Sequence, residues 1–315
     1  MRFRCVGRLL IPPLLHTLLV TALGLSAFCQ DVPQVDITPR FRPSEERRVP
    51  SIRLDIKMVM IPTNVTDQHD QPILNLHKED FRLFEDSSEQ KIESLSIDEA
   101  PLSLGIVFDA SGSMKNKIDK SFRAVEQFLK TSLPGDEFFL VQFADEASVL
   151  TPFTRDTDEI TSNLGLIRPQ GWTALFDAIY LAVNQMRHAK NPRKALLILS
   201  DGGDNNSRYS DGEVINLLRE ADVQLFAIGL FDDAHFLKKA AAETGGAVVA
   251  VHNLNDLSDA VDKLSTQVRS QYVLGYYPAQ APNDGKFHKV KVMLSQAAGS
   301  LKLRTSWRHG YYAPY

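Results

Sequence analysis

An aspartate and two serines alternate with small residues in Asp109-Ala110-Ser111-Gly112-Ser113, directly after the apolar run 104–108. A second apolar run, 196–199, ends in Ser200-Asp201-Gly202-Gly203-Asp204. Between them, Gly171-Trp172-Thr173-Ala174-Leu175 opens a helical pattern with a hydroxyl residue near its start. The three segments offer three hydroxyls (Ser111, Ser113, Thr173) and the carboxylates of Asp109 and Asp201, with no histidine or cysteine among them. Hard oxygen donors of this kind suit Mg2+, Mn2+ or Ca2+ and argue against Zn2+ or copper. Asp204 reads as a cap or turn residue, and Asp136 and Asp145 as solvated loop residues.

The elements that must position these residues are legible from the spacing of apolar positions. Runs suited to buried strands occur at 104–108, 138–143, 195–199, 223–230 and 247–251. Helical patterns lie between them, through Ile118, Phe122, Val125 and Phe128, then Leu175, Ile179 and Val183, Leu217-Leu218, and Leu257, Val261, Leu264 and Val268. Strand–helix alternation predicts an α/β domain over 102–268, with a doubly wound, mostly parallel sheet and helices on both faces. Such sheets bind ligands beyond the carboxyl ends of their strands, near the point where strand order reverses. The three loops should converge there.

Both flanks change to period 2. Leu54, Ile56, Met58 and Met60 mark a strand, and 65–74, 81–84 and 92–95 continue as short strands. After 268 the runs 271–277, 287–294 and 301–307 are strands again, with Asn283-Asp284-Gly285 as a turn. Each flank, 51–101 and 269–315, is too small to be stable alone. The two are therefore expected to pair into one small β-sandwich into which the α/β domain is inserted.

Asp109-x-Ser111-x-Ser113, Thr173 and Ser200-Asp201-Gly202 resemble, in order, approximate spacing and strand context, the metal-ion-dependent adhesion site of von Willebrand factor type A domains. The resemblance covers 102–268 and extends to Leu133-Pro134-Gly135-Asp136, which is similar to the approach to that family's second strand. It implies a Rossmann-like fold and a divalent cation, Mg2+ first, with Ser111, Ser113 and Thr173 as direct ligands. Asp109 and Asp201 would act through coordinated water. Neutral ligands leave the ion most of its charge, so it seeks the carboxylate of an Asp or Glu on a protein partner. Phe84-Glu85-Asp86, Tyr272 to Pro278 and Gly310-Tyr311-Tyr312 resemble exported bacterial von Willebrand factor A-related proteins. Trp172 departs from the pattern, standing where many relatives have glycine; its ring either narrows the site or contacts a ligand.

Composition sets the remaining bounds. A chain of 315 residues, 43% hydrophobic and 23% charged, excludes wholesale disorder and an integral membrane protein. A net charge of −4 does not point to nucleic acid. Arg2, Arg4 and Arg8 precede an apolar stretch, 9–28, free of acidic residues, which makes 1–29 a secretory signal peptide cleaved after Cys29 or Ala27. An uncleaved membrane anchor is the alternative. Residues 30–50, with four prolines, read as a flexible linker. Cleavage after Cys29 removes both cysteines, leaving a periplasmic or secreted protein with no thiol chemistry and no membrane span.

Binding, not catalysis, is the expected function, because no nucleophile stands with a companion base. Two rivals remain: a Mg2+-dependent phosphatase of the haloacid-dehalogenase type using Asp109, and a structural domain with a vestigial site. The first lacks the usual second aspartate, since Ser111 occupies that place. The eight histidines show no ligand spacing and most read as surface residues, and Trp307, Tyr311 and Tyr312 as sandwich core or edge. The sequence does not name an oligomeric state.

Overall fold

The structure, a computed structural model, describes residues 58–230, 234–279, 284–295 and 302–314. The expected signal peptide, the linker and the start of the first strand, with Leu54 and Ile56, lie outside the described residues. The first flank forms strands β1 (Val59–Thr66), β2 (Phe81–Glu85), β3 (Ser88–Gln90) and β4 (Ile92–Ile97). The stretch read as a strand through 74 instead turns after Thr66. The Asp67 carboxylate accepts the His69 and Gln71 N–H groups, and Asp70 sits at φ 62°. A carboxylate satisfying nearby N–H groups competes with continued strand pairing.

The central domain runs β5 (Leu102–Asp109), α1 (Ile118–Leu129), β6 (Glu137–Phe143), β7 (Ala147–Thr154), α2 (Thr157–Leu164), α3 (Leu175–Gln185) and β8 (Arg193–Ser200). It continues with α4 (Asp211–Ala221), β9 (Gln224–Leu230), α5 (His235–Thr244), β10 (Ala247–Val251) and α6 (Leu257–Arg269). The sheet order is β10-β9-β8-β5-β6-β7, parallel except for the antiparallel edge strand β7. Every residue of β5 is buried, as a central parallel strand covered on both faces requires. Leu104, Ile106 and Phe108 pack under α1, α2 and α6, while Val107 faces α3, α4 and α5. Gly105 lies on the second face, where a Cβ would stand 2.2 Å from Phe139 Cζ.

The second flank supplies β11 (Tyr272–Tyr276), β12 (Phe287–Leu294), β13 (Arg304–Trp307) and β14 (Gly310–Tyr312). Two four-stranded antiparallel sheets result, β13-β1-β11-β4 and β14-β12-β2-β3. Each combines strands from before and after the α/β domain. Their apolar faces close on one another through Ile61, Leu83, Tyr272, Leu274, Tyr276 and Val292. Chain entry and exit are neighbours, since Ile97 of β4 pairs with Tyr272 of β11. Arg193 braces this junction: its side chain is 8% exposed, ion-pairs with Asp98 at 2.9 Å, and donates to the carbonyls of Asp98, Ala100 and Val268.

Asp136 is a correction to the reading from sequence. It is buried, accepts the N–H groups of Leu102 (2.8 Å) and Leu133 (2.7 Å), and pairs with Arg269 at 2.6 Å. Trp307 packs against the sandwich core and Tyr312 lies at an edge. Among the described residues, no helix is long and apolar enough to cross a membrane.

Candidate functional site

Strands β5 and β8 are parallel neighbours with Phe108 opposite Leu199, so Asp109 and Ser200 emerge side by side at their carboxyl ends. Asp109 is fully buried, and both of its carboxylate oxygens are engaged: Oδ1 accepts the Ser111 N–H at 2.8 Å and Oδ2 the Ser200 hydroxyl at 2.6 Å. The Ser111 and Ser113 hydroxyls are 2.9 Å apart, and Ser113 donates to Asp201 Oδ1 at 2.7 Å. Asp201, its side chain 1% exposed, also takes a hydrogen bond from Lys117. Burial holds the Asp109 carboxyl above the ordinary aspartate range. Hydrogen bonds from Ser111 and Ser200 pull it back, and nearby Asp201 adds to the rise.

The third loop is tied to the first through its backbone. The Gly112 N–H donates to the Gly171 carbonyl at 3.1 Å, and the Gln170 N–H to the Ala110 carbonyl at 2.9 Å. Gly171 sits at φ 78°, and a Cβ there would meet the Asp145 carboxylate at 2.4 Å. That carboxylate accepts the Trp172 N–H at 2.8 Å, so Asp145, exposed as expected, also holds the turn. Thr173 follows, nearly buried, its N–H bonded to Asn205 Oδ1 at 2.8 Å and its carbonyl accepting from Asn205 and Asn206. The first residue of α3 has no cap of its own on the preceding Ala174. Its free N–H groups are served instead by the loop after β8, with Phe176 N–H on Asp204 Oδ1 and Asp177 N–H on the Ser207 hydroxyl.

The structure thus joins Asp109, Ser111, Ser113 and Asp201 through direct or single-bridge hydrogen bonds, and links Thr173 to them only through the backbone, two residues beyond the Gly171 carbonyl that accepts the Gly112 N–H. Asp204 caps a helix, as its sequence position suggested. Trp172 is 64% exposed, so its ring stands outward. Lys117 was missed by the sequence reading. Its signal was weak, a lysine one turn beyond Ser113 at the start of α1. Among the histidines His288 is an exception to the surface reading, its side chain only 15% exposed and lying between carboxylates.

The donor set fits a divalent cation. Two enclosed carboxylates, Asp109 and Asp201, back the hydroxyls of Ser111 and Ser113, which stand together at 2.9 Å. A cation held by the hydroxyls would offset the burial, and the smaller like-charge contact with Asp201, that raise Asp109.

Residues 104–203 match the family model described as von Willebrand factor type A domain. The chain is 27% identical over 141 residues to an uncharacterised protein of Borreliella burgdorferi, covering 42% of this chain and 41% of that one. It is 29% identical over 197 residues to inter alpha-trypsin inhibitor heavy chain 4 of Mus musculus, covering 56% of this chain and 21% of that one. The chain therefore spans less than half the length of these curated relatives. Among solved structures, a von Willebrand factor type A protein from Catenulispora acidiphila aligns with a TM-score of 0.51 at 12% identity, over 83% of this chain and 75% of that one. Proximal thread matrix protein 1 from the mussel byssus aligns with a TM-score of 0.50 at 21% identity, over 58% and 49%. Residues 104–203 thus match a von Willebrand factor type A domain model within an α/β fold similar to these structures, and that segment lies between two flanking β segments.

Proposed function

We propose that the chain is an exported, metal-dependent protein-binding module for adhesion or complex assembly. Its cation, Mg2+ with Mn2+ or Ca2+ as substitutes, is held by Ser111, Ser113 and Thr173, with Asp109 and Asp201 in the outer shell. Bound there, the ion supplies an electrophilic centre for an Asp or Glu carboxylate of the partner. The observation that carries this reading is the division of labour at the site: both Asp109 oxygens and the Asp201 carboxylate are already hydrogen-bonded, while the Ser111 and Ser113 hydroxyls lie 2.9 Å apart. Hydroxyl ligands backed by fixed carboxylates favour capture of an anionic oxygen over activation of water.

The same geometry disfavours the phosphatase reading. A nucleophilic aspartate needs an oxygen free to attack, and Asp109 is fully buried with both oxygens engaged. Trp172, exposed beside the loop, is well placed to contact the partner around the metal-bound carboxylate.

The test has two arms. Calorimetric titration of the purified chain with Mg2+ should give saturable binding that Ser111→Ala/Ser113→Ala abolishes. A pull-down from the native envelope should then retain a partner in Mg2+ and lose it in chelator. A partner held equally by the double variant would overturn the mechanism, and absent Mg2+ binding would favour a vestigial site.

A further inference from the structure

The segments that the loop site does not use meet in the sandwich. Glu85 ends β2, Asp86 follows it, His288 lies on β12, Tyr276 on β11 and Tyr311 on β14. His288 Nδ1 is 2.7 Å from Asp86 Oδ2 and 3.8 Å from Glu85 Oε1. The other polar atom of each group is held from behind. His288 Nε2 is 3.2 Å from Asp284 Oδ1, and Asp86 Oδ1 accepts the Lys289 N–H at 3.0 Å. Glu85 Oε2 accepts the hydroxyls of Tyr276 and Tyr311, at 2.5 and 3.2 Å. Each of the three groups therefore keeps one donor atom turned toward the other two, and all three atoms lie within 4.8 Å of one another.

We propose that Glu85, Asp86 and His288 form a second cation site, selective for a transition metal of the Zn2+ class, bound by Glu85 Oε1, Asp86 Oδ2 and His288 Nδ1 with water completing a tetrahedron. An imidazole nitrogen beside two carboxylates suits Zn2+, whereas the all-oxygen loop site suits Mg2+. Ligand distances of about 2.0–2.1 Å place tetrahedral donor atoms about 3.3 Å apart. The observed 2.7 and 3.8 Å bracket that spacing, so each contact needs to change by only about half an ångström. A carboxylate on the far nitrogen of a ligating histidine fixes its tautomer, and Asp284 occupies that position. Two carboxylates neutralise the ion in a pocket where Glu85 is only 8% exposed. When the metal binds, the proton on Nδ1 leaves to solvent. The ion would tie the turn after β2 to the start of β12, fastening the two flanks to each other.

The probe is Zn2+ alone, added to the full chain carrying Ser111→Ala/Ser113→Ala so that the loop site does not contribute. Calorimetry in two buffers of different ionisation enthalpy should show one Zn2+ per chain with proton release, and Mg2+ in large excess should not displace it. His288→Gln should weaken binding about 100-fold or more, and Asp284→Asn, which removes only the orienting carboxylate, about 10- to 100-fold. Because His288→Gln could disturb folding, Co2+ is also added to the histidine-intact chain, where the visible spectrum should report tetrahedral nitrogen–oxygen ligation. Absence of Zn2+ binding and of the Co2+ spectrum would show that the cluster is an internal hydrogen-bonded clamp only and overturn the proposal. Unchanged Zn2+ affinity in folded His288→Gln would overturn it equally.

Discussion

Replacing Gly171 with alanine should damage stability and cation binding together, and the size of each effect follows from the turn. At φ 78° a side chain costs about 1–2 kcal/mol relative to glycine. The new Cβ would stand 2.4 Å from Asp145 Oδ2 and 2.6 Å from Cγ, so that carboxylate must move away. Its hydrogen bond to the Trp172 N–H, 2.8 Å in the wild type, is lost with it, at a further cost of about 0.5–1.5 kcal/mol. Gly171→Ala should thus destabilise the chain by about 2–3 kcal/mol in urea unfolding. Because the Gly171 carbonyl also receives the Gly112 N–H, a shifted turn moves Thr173 relative to Ser111 and Ser113. Mg2+ affinity should fall about tenfold or more, as misplacement of a ligand by an ångström commonly costs that much. Asp145→Ala in the same chain removes the clash but not the backbone cost, so a double-mutant cycle should show about 1 kcal/mol of favourable coupling. Two results would refute the reasoning: an unchanged unfolding midpoint, or a destabilised protein that binds Mg2+ as tightly as the wild type.

Other expectations are as direct. Mg2+ at about 100 times its dissociation constant should stabilise the wild type by about 2.7 kcal/mol, or roughly 5–10 °C in Tm, and leave Ser111→Ala/Ser113→Ala unmoved in thermal unfolding. Lys117→Met should tighten Mg2+ about tenfold by calorimetry, because it removes a like charge hydrogen-bonded to the outer-shell Asp201; weaker binding would instead make Lys117 a positioning group for that carboxylate. Arg193→Met should cost about 3–5 kcal/mol in chemical unfolding, since it removes the ion-pair partner of Asp98 and three hydrogen bonds to carbonyls where the chain passes between sandwich and α/β domain. Ser210→Ala should cost about 1 kcal/mol by removing the side chain that caps α4 opposite Glu213, measured by the same unfolding assay.

What the sequence made legible was whatever depends on near neighbours. The fully buried β5 announced itself as an unbroken apolar run, and α1 through the spacing of Ile118, Phe122, Val125 and Phe128. Asp109, Ser111, Ser113 and Asp201 were legible as candidate ligands because each sits within a few residues of a strand's end, and Thr173 because it stands just before a helix. Elements that bury little large apolar surface were not. Strand β7 alternates weakly and carries Pro152 at the sheet edge, and α5 faces the core with Ala240 and Ala241 beside a single leucine, Leu237. In α2 only Ile160 and Leu164 are buried.

Roles that depend on distant partners are not legible for the same reason, and Asp136 was misread. Asp136 looks like any loop aspartate until Arg269, from the far end of α6, reaches it across the junction between the domains. His288 has no metal-ligand spacing in the chain, because Glu85 and Asp86 lie about two hundred residues away. The two sheets of the sandwich are built by pairing strands on either side of the inserted domain, so their contacts are long-range by construction. A local motif can declare a site on a loop at the end of one parallel strand. A site shared by the two flanks has no local motif to declare it and becomes visible only when β2 and β12 are laid side by side.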